Sequence, residues 1–161
     1  MCGITGVIAT DSRSDVGPTT ERLMAELAHR GPDGAGLRFL RGHWAAFGHR
    51  RLSIVDLECG AQPMSNEDER VWVVYNGELY NHLDVRRELV SLGHTFRTRA
   101  DTEVLVHGWE EWGAGVLERL NGIYAFALFD GRRDPGEVWL ARDPVGVKPL
   151  YVGRSGGNWW F

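Results

Sequence analysis

The sequence predicts an α+β fold in which a pair of sheets is covered by helices. Three observations lead there. Short runs of β-branched and aromatic residues recur along the chain, and stretches with helical spacing of apolar residues lie between them. One run, residues 123–129 (IYAFALF), has no polar face, so both of its faces must be covered.

Taken in order, residues 3–9 (GITGVIA) read as a buried strand and DSRSDVGP as a loop. TTERLMAELAH (19–29) is helical, with Leu23, Met24, Leu27 and Ala28 on one face. HRGPDGAG (29–36), rich in glycine, proline and aspartate, reads as loop. HWAAFGHRRLSIVDL (43–57) suggests two strands. VWVVYNGELYN (71–81) begins as a strand and turns at Asn76-Gly77. LDVRRELVSLG (83–93) is an amphipathic helix with Val85, Leu89 and Leu92 inward and Gly93 as its stop. DTEVLVHGWEEWG (101–113) is another, with Leu105, Trp109 and Trp112 at helical spacing, and GVLERLNG (115–122) adds a short third. After 123–129, EVWLAR (137–142), PLYVG (149–153) and NWWF (158–161) read as strands between the turn clusters DGRRDPG and GRSGG. An apolar strand end at Trp159-Trp160-Phe161 is a poor place for a domain to finish. The expectation is one domain, 1–161, cut at its C-terminal side from a longer parent.

Composition excludes several classes. With 43% apolar and 25% charged residues and a net charge of -4, the chain carries no basic footprint for nucleic acid and no membrane surface. No apolar run approaches the ~20 residues of a membrane helix, and the N-terminus lacks a signal-peptide pattern. Two cysteines, Cys2 and Cys59, make no disulfide framework, so a cytoplasmic protein with free thiols is expected.

The motif search narrows to one residue. No pair among the six histidines has zinc-site spacing, and CxxC and HExxH are absent, so no metal is expected; His43 and His49 are assigned to strand neighbours. No Walker or GxGxxG loop is present, and SGG at 155–157 reads as a hairpin turn. Cys59, in DLECGAQP, has no base beside it. Cys2 differs by position. The residue behind Met1 is small, so an aminopeptidase can remove that methionine and leave a thiol and a free α-amino group on one residue. A free thiol has a pKa of about 8.5, and an α-amino group titrates near ~7.7–8.0. The amine can therefore take the thiol proton without a partner histidine. The plainer reading is a small apolar residue at a strand start.

Eight motifs decide between these readings. MCGITGV, HRGPDG, GHRRLSIVDL, GAQPM, YNGELYNH, ADTEVL, LNGIYAFALFD and RDPVGVKPLY occur in that order. Together they resemble the N-terminal glutaminase domain of glutamine-hydrolysing asparagine synthetases, a class II glutamine amidotransferase and N-terminal nucleophile hydrolase. The resemblance implies a four-layer αββα sandwich of two antiparallel sheets. It implies that Cys2 attacks the glutamine carboxamide, releases ammonia and passes through a γ-glutamyl thioester to glutamate.

It also implies roles for other residues. The Asn76 side chain and Gly77 backbone N–H match the oxyanion hole, although a hairpin turn is the commoner use of Asn-Gly. Arg51 matches the residue that grips the glutamine α-carboxylate, where the alternative is a solvated charge beside a structural Arg50. Leu52, Ser53, Ile54 and Val55 follow as the pocket-lining strand. Asp101 matches the partner of the substrate ammonium, and it also stands where a helix N-cap would be. Glu78 matches a second polar contact at that end, and Arg30 is a supporting residue near Cys2. No cofactor is implied in this domain; ATP and Mg2+ belong to the synthetase domain of the parent, which would receive the ammonia. Homodimerisation of that parent is left open. The alternatives are an amidotransferase serving aminosugar or phosphoribosylamine synthesis, and a non-catalytic docking domain.

Overall fold

Extended segments whose side chains alternate between two covered faces build two antiparallel sheets. In chain order the elements are β1 (Gly3–Ile8), α1 (Val16–Glu26), a 3-10 turn (Leu27–Arg30), β2 (Gly34–Leu40), β3 (Ala45–Arg51), β4 (Met64–Ser65), β5 (Val71–Leu79), α2 (His82–Ser91), α3 (Thr102–Trp112), a 3-10 segment (Gly113–Arg119), β6 (Gly122–Asp130), β7 (Glu137–Arg142), β8 (Gly153–Ser155) and β9 (Asn158–Trp160). The computed structural model describes residues 2–10, 16–52 and 60–161. One sheet has the order β2-β3-β1-β9-β8 and the other β4-β5-β6-β7.

The pleat assigns each residue to a layer. In the first sheet Ile4, Ile8, Ala45 and Phe47 face the second sheet, where Trp72, Val74, Ala127 and Phe129 meet them. Val7 and Ala46, on the opposite face, pack with Val16 at the start of α1. In the second sheet Val71, Val73 and Tyr75 turn outward beneath Leu105, Val106 and Trp109 of α3. α2 packs onto α3 through Val85, Leu89 and Val104. The result is helix, sheet, sheet, helices: the αββα order. Strand 123–129 is covered on both faces, as its uniform apolarity requires.

The C-terminal run ends in the core at Phe161. β9 pairs with β1, and Gly6 and Phe161 exchange backbone hydrogen bonds of 3.2 and 3.1 Å. Phe161 enters the space between the sheets and meets Phe47 edge-on at 5.5 Å. A second tie closes the far end of β6. Asp130 accepts Trp109 Nε1–H (2.9 Å) and Arg132 Nη2–H (2.7 Å) on Oδ2. Its Oδ1 accepts Arg132 N–H at 3.0 Å and Nε–H at 2.9 Å. Burial raises the Asp130 pKa, but these donors outweigh it and hold the carboxyl at about 2.

Several local expectations are corrected. β5 runs straight through Asn76 and Gly77, which pair with Ala125 and Tyr124, so that dipeptide is not a turn. β2 starts at Gly34, inside the stretch read as loop, and residues 149–152 hold no strand. Leu92, read as inward, is the C-cap of α2 and is 50% exposed. The glycine turn at 156–157 does join β8 to β9, with φ of 58 and 85° at Gly156 and Gly157.

Two predictions follow from this packing. Phe47→Ala empties the contact between the sheets and lowers unfolding free energy by about 3–5 kcal/mol in chemical denaturation. The Asp130 carboxyl, at about 2 against its ordinary 3.8, contributes stability that is present above pH 3.8 and lost as pH falls toward 2. Asp130→Asn removes that part of the acid slope in denaturation series compared across this range.

Candidate active site

Cys2 stands one residue before β1, and β1 pairs with β3 so that Gly3 faces Arg50. Cys2 and Arg51 are therefore the next residues outward on adjacent strands, and Cys2 Sγ lies 3.9 Å from the Leu52 carbonyl oxygen. Across the gap stands β5. Here lies a cavity of about 290 Å³ whose walls include Cys2, Arg51, Leu52, Asn76, Gly77, Glu78 and Asp101. Seven of the sequence-predicted site residues are thus brought to one space by four separate stretches of chain.

Strand alternation decides what β5 offers. Asn76 shares the inward face of Trp72 and Val74 and is buried. Gly77 must be glycine for packing: a Cβ would sit 2.5 Å from the Ile123 carbonyl oxygen and 2.8 Å from Tyr124 Cα. Its N–H belongs to a definite edge. Tyr75 N–H donates to Gln62 Oε1 at 2.6 Å, and Leu79 N–H donates to Asp101 Oδ2 at 3.0 Å, so these odd-numbered amides point away from β6. Gly77 lies between them in the same alternation, so its N–H points to that edge, on the cavity side.

Asp101 holds the α3 side of the site. It occupies the N-cap position but makes no side-chain cap bond, correcting the capping expectation. Its Oδ2 accepts the Tyr75 hydroxyl at 2.7 Å as well as the Leu79 amide. Burial, and then the neighbouring Asp101 charge, push the Tyr75 hydroxyl far above its ordinary pKa, so it remains a donor. A carboxylate has lone pairs on its other oxygen to spare for a ligand.

The electrostatics of the cavity are divided. Arg51, Arg99 and Lys148 bring positive charge, and Glu78 and Asp101 bring negative charge. His49 also lines the space, but burial, followed by the Arg51 guanidinium, pushes it down to about 4, so it is neutral at pH 7. Sequence reasoning missed His49, Gln62 and Lys148. Gln62 and Lys148 lay within quoted motifs, GAQPM and RDPVGVKPLY, but their role depends on contacts made across the fold. Asp143 accepts the amide N–H groups of Val147 and Lys148 at 2.8 and 2.9 Å, which shapes the turn that brings Lys148 to the cavity.

Arg30 is placed differently. It lines a neighbouring cavity of about 300 Å³, which shares Cys2 and Asn76 with the first. Arg50, expected to be structural or exposed, is structural: its Nε–H donates to the Met24 carbonyl of α1 at 3.1 Å. Ser53, Ile54, Val55 and Cys59 lie outside the described residues. His43 stands in the turn before β3 with φ of 73°, not on a strand. Away from the cavity, the structure gathers His94, His107 and Glu110, which their spacing in sequence did not suggest. No described helix is long and apolar enough to cross a membrane.

Comparison with known proteins places this arrangement. The family model of the glutamine amidotransferase domain matches residues 1–161. "Asparagine synthetase [glutamine-hydrolyzing] 3" of Bacillus subtilis (strain 168) is 40% identical over 166 residues, covering 100% of this chain and 26% of the relative. The asparagine synthetase [glutamine-hydrolyzing] of Sandersonia aurantiaca is 43% identical over 155 residues, covering 95% of this chain and 28% of its own length. The chain thus spans about a quarter of the length of these curated relatives. Among solved structures, the glutamine phosphoribosylpyrophosphate amidotransferase of B. subtilis, complexed with ADP and GMP, superposes with a TM-score of 0.82 at 23% identity. That match covers 99% of this chain and 41% of the other, and what the two share is the fold. With the motifs, the layer order and a family match along its whole length in agreement, this chain belongs to the glutamine amidotransferase domain family.

Proposed function

We propose that this chain hydrolyses L-glutamine to glutamate and ammonia, with Cys2 as nucleophile after removal of Met1. The observation that carries the reading is the convergence of Cys2, Asn76, Gly77, Arg51 and Asp101 on one cavity from separate elements. The freed α-amino group takes the thiol proton, and the thiolate attacks the side-chain carbonyl carbon. The resulting oxyanion lies against the Asn76 side-chain amide and the edge N–H of Gly77. The α-ammonium returns its proton to the leaving nitrogen, the C–N bond breaks, and ammonia departs. Water then attacks the thioester carbon, the C–S bond breaks, and the thiolate recovers a proton.

Substrate choice follows from the divided charge. The Arg51 fork suits an α-carboxylate, and Asp101 and Glu78 suit an α-ammonium. Together they define an L-amino-acid clamp with the nucleophile at the far end of the side chain. Neutral His49 leaves the cationic end to Arg51 and its cationic neighbours.

The ammonia acceptor is read from the relatives. Those at about 40% identity carry the name asparagine synthetase, so we assign the acceptor reaction to an ATP- and Mg2+-dependent synthetase partner, in the cytoplasm where Cys2 stays reduced. Val145 (87% exposed), Val147 and Tyr151 (75%) are exposed apolar side chains, and Tyr151 lines the second cavity; such exposure suits a partner.

The test is glutamate release by the purified chain, with the N-terminal mass measured in the same preparation. Cys2→Ala abolishes release; equal rates in the two proteins refute the reading. Asn76→Ala lowers kcat by roughly 10²–10³-fold. Arg51→Lys raises KM for glutamine roughly tenfold or more with a smaller change in kcat, because an ammonium cannot replace the bidentate fork.

A further inference from the structure

Among the described residues outside the cavity, a cluster of ionisable groups lies where the α2–α3 connection meets α3. His94 belongs to the connection, and His107 and Glu110 lie one turn apart on α3. One ring nitrogen of each histidine and a Glu110 carboxylate oxygen lie within 4.8 Å of one another. Glu110 Oε2 is 2.8 Å from His107 Nδ1 and 3.9 Å from His94 Nδ1.

The groups behind these three are as informative. The far nitrogen of His94, Nε2, lies 3.2 Å from a Glu111 carboxylate oxygen. The far nitrogen of His107, Nε2, is buried without a hydrogen-bond partner among the described residues, 3.6 Å from Glu103 Oε1. Glu110 Oε1 accepts the Asn66 amide at 2.7 Å. Glu103 is itself fixed, accepting the backbone N–H groups of Arg97 and Thr98, each at 2.7 Å. Each inward-facing donor thus has a polar group at its back. At His94 and Glu110 this is the arrangement by which carboxylates and amides orient metal ligands, and at His107 the Glu103 carboxylate stands 3.6 Å behind the ring. Four carboxylates, those of Glu67, Glu103, Glu110 and Glu111, surround the two imidazoles.

We propose that His94, His107 and Glu110 bind one divalent transition-metal ion, with zinc favoured by the donor set. Two imidazoles and one carboxylate suit zinc over magnesium or calcium, which prefer oxygen. Tetrahedral zinc sets its ligand atoms roughly 3.3 Å apart. From 3.9 Å, His94 closes onto Glu110 by about 0.6 Å; from 2.8 Å, His107 and Glu110 part by about 0.5 Å as the proton between them is displaced; and the two histidine nitrogens, within 4.8 Å, approach to the same spacing. Water fills the fourth position, since His94 and Glu110 keep 17% and 19% of their side-chain surface. The ion would pin the connection bearing His94 to α3, the helix whose start carries Asp101. Its role is structural, and it stands independently of the glutaminase reading.

The test uses the tag-free 161-residue chain with Cys2→Ala and Cys59→Ala, so that no thiol takes the metal. Zinc is titrated in competition with a chromophoric chelator, and Co2+ is added separately to read its visible d–d bands. The expected result is one zinc per chain and a Co2+ spectrum of nitrogen and oxygen ligands. Binding weakens at least tenfold in His94→Ala and Glu110→Gln. Zinc at a hundredfold excess over Kd raises Tm by roughly 5–10 °C in the parent but not in His94→Ala. His94 is partly exposed, so His94→Ala is judged folded by circular dichroism, with His94→Gln as a second variant. Failure to take up a stoichiometric metal, or uptake unchanged by both His94 variants, overturns the proposal and leaves the cluster an ion-pair network.

Discussion

The bridge made by Asp101 is the contact on which the geometry of the site depends. One carboxylate oxygen receives the Tyr75 hydroxyl and the Leu79 amide, joining the start of α3 to both ends of the β5 segment that carries Asn76, Gly77 and Glu78. Gln62 clamps the same strand edge at Tyr75, and its own Nε2–H donates to Thr102 Oγ1 at 3.3 Å, back at the start of α3. Strand, loop and helix therefore form a closed circuit of hydrogen bonds around the cavity. The energetic meaning is that these buried polar groups are mutually satisfied; removing one would strand the others.

The opposite wall owes its form to register. Antiparallel pairing of β1 with β3 sets Gly3 against Arg50, and a one-residue slip would turn Arg51 to the other face of its sheet. Two apolar layers enforce that register. Ala45 and Phe47 belong between the sheets, while Ala46 belongs under α1. Nonlocal packing thus determines where the guanidinium stands relative to the thiol.

The sequence revealed most about segments whose pattern is local and uniform. Residues 123–129, apolar throughout, read as a strand covered on both sides, and α3 announced itself through Leu105 and Trp109. It revealed less where a local signal competes with pairing. Asn76-Gly77 carries a strong turn signature, yet nine residues of β5 pair with β6 through that point. PLYVG has strand composition, but Tyr151 and Val152 are exposed and only Gly153 begins a pairing. Of the site, the motifs supplied every residue that the cavity gathers from the prediction; His49 and Gln62 lay within the quoted motifs GHRRLSIVDL and GAQPM but were given no role. Their contribution comes from burial and from a neighbour's amide, which no spacing encodes. His94 and His107 are joined by a fold-back of the chain and are invisible to a search for short metal-ligand intervals.

Gly77 carries two unrelated constraints. Its missing side chain makes room for the Ile123 carbonyl and the β6 backbone, whatever chemistry the amide serves. A descendant that had lost catalysis would still be selected to keep this glycine for folding. Retention of Gly77 is thus poor evidence of a working enzyme, whereas Cys2, which the described contacts bind only weakly, is free to drift once its reactivity is no longer needed.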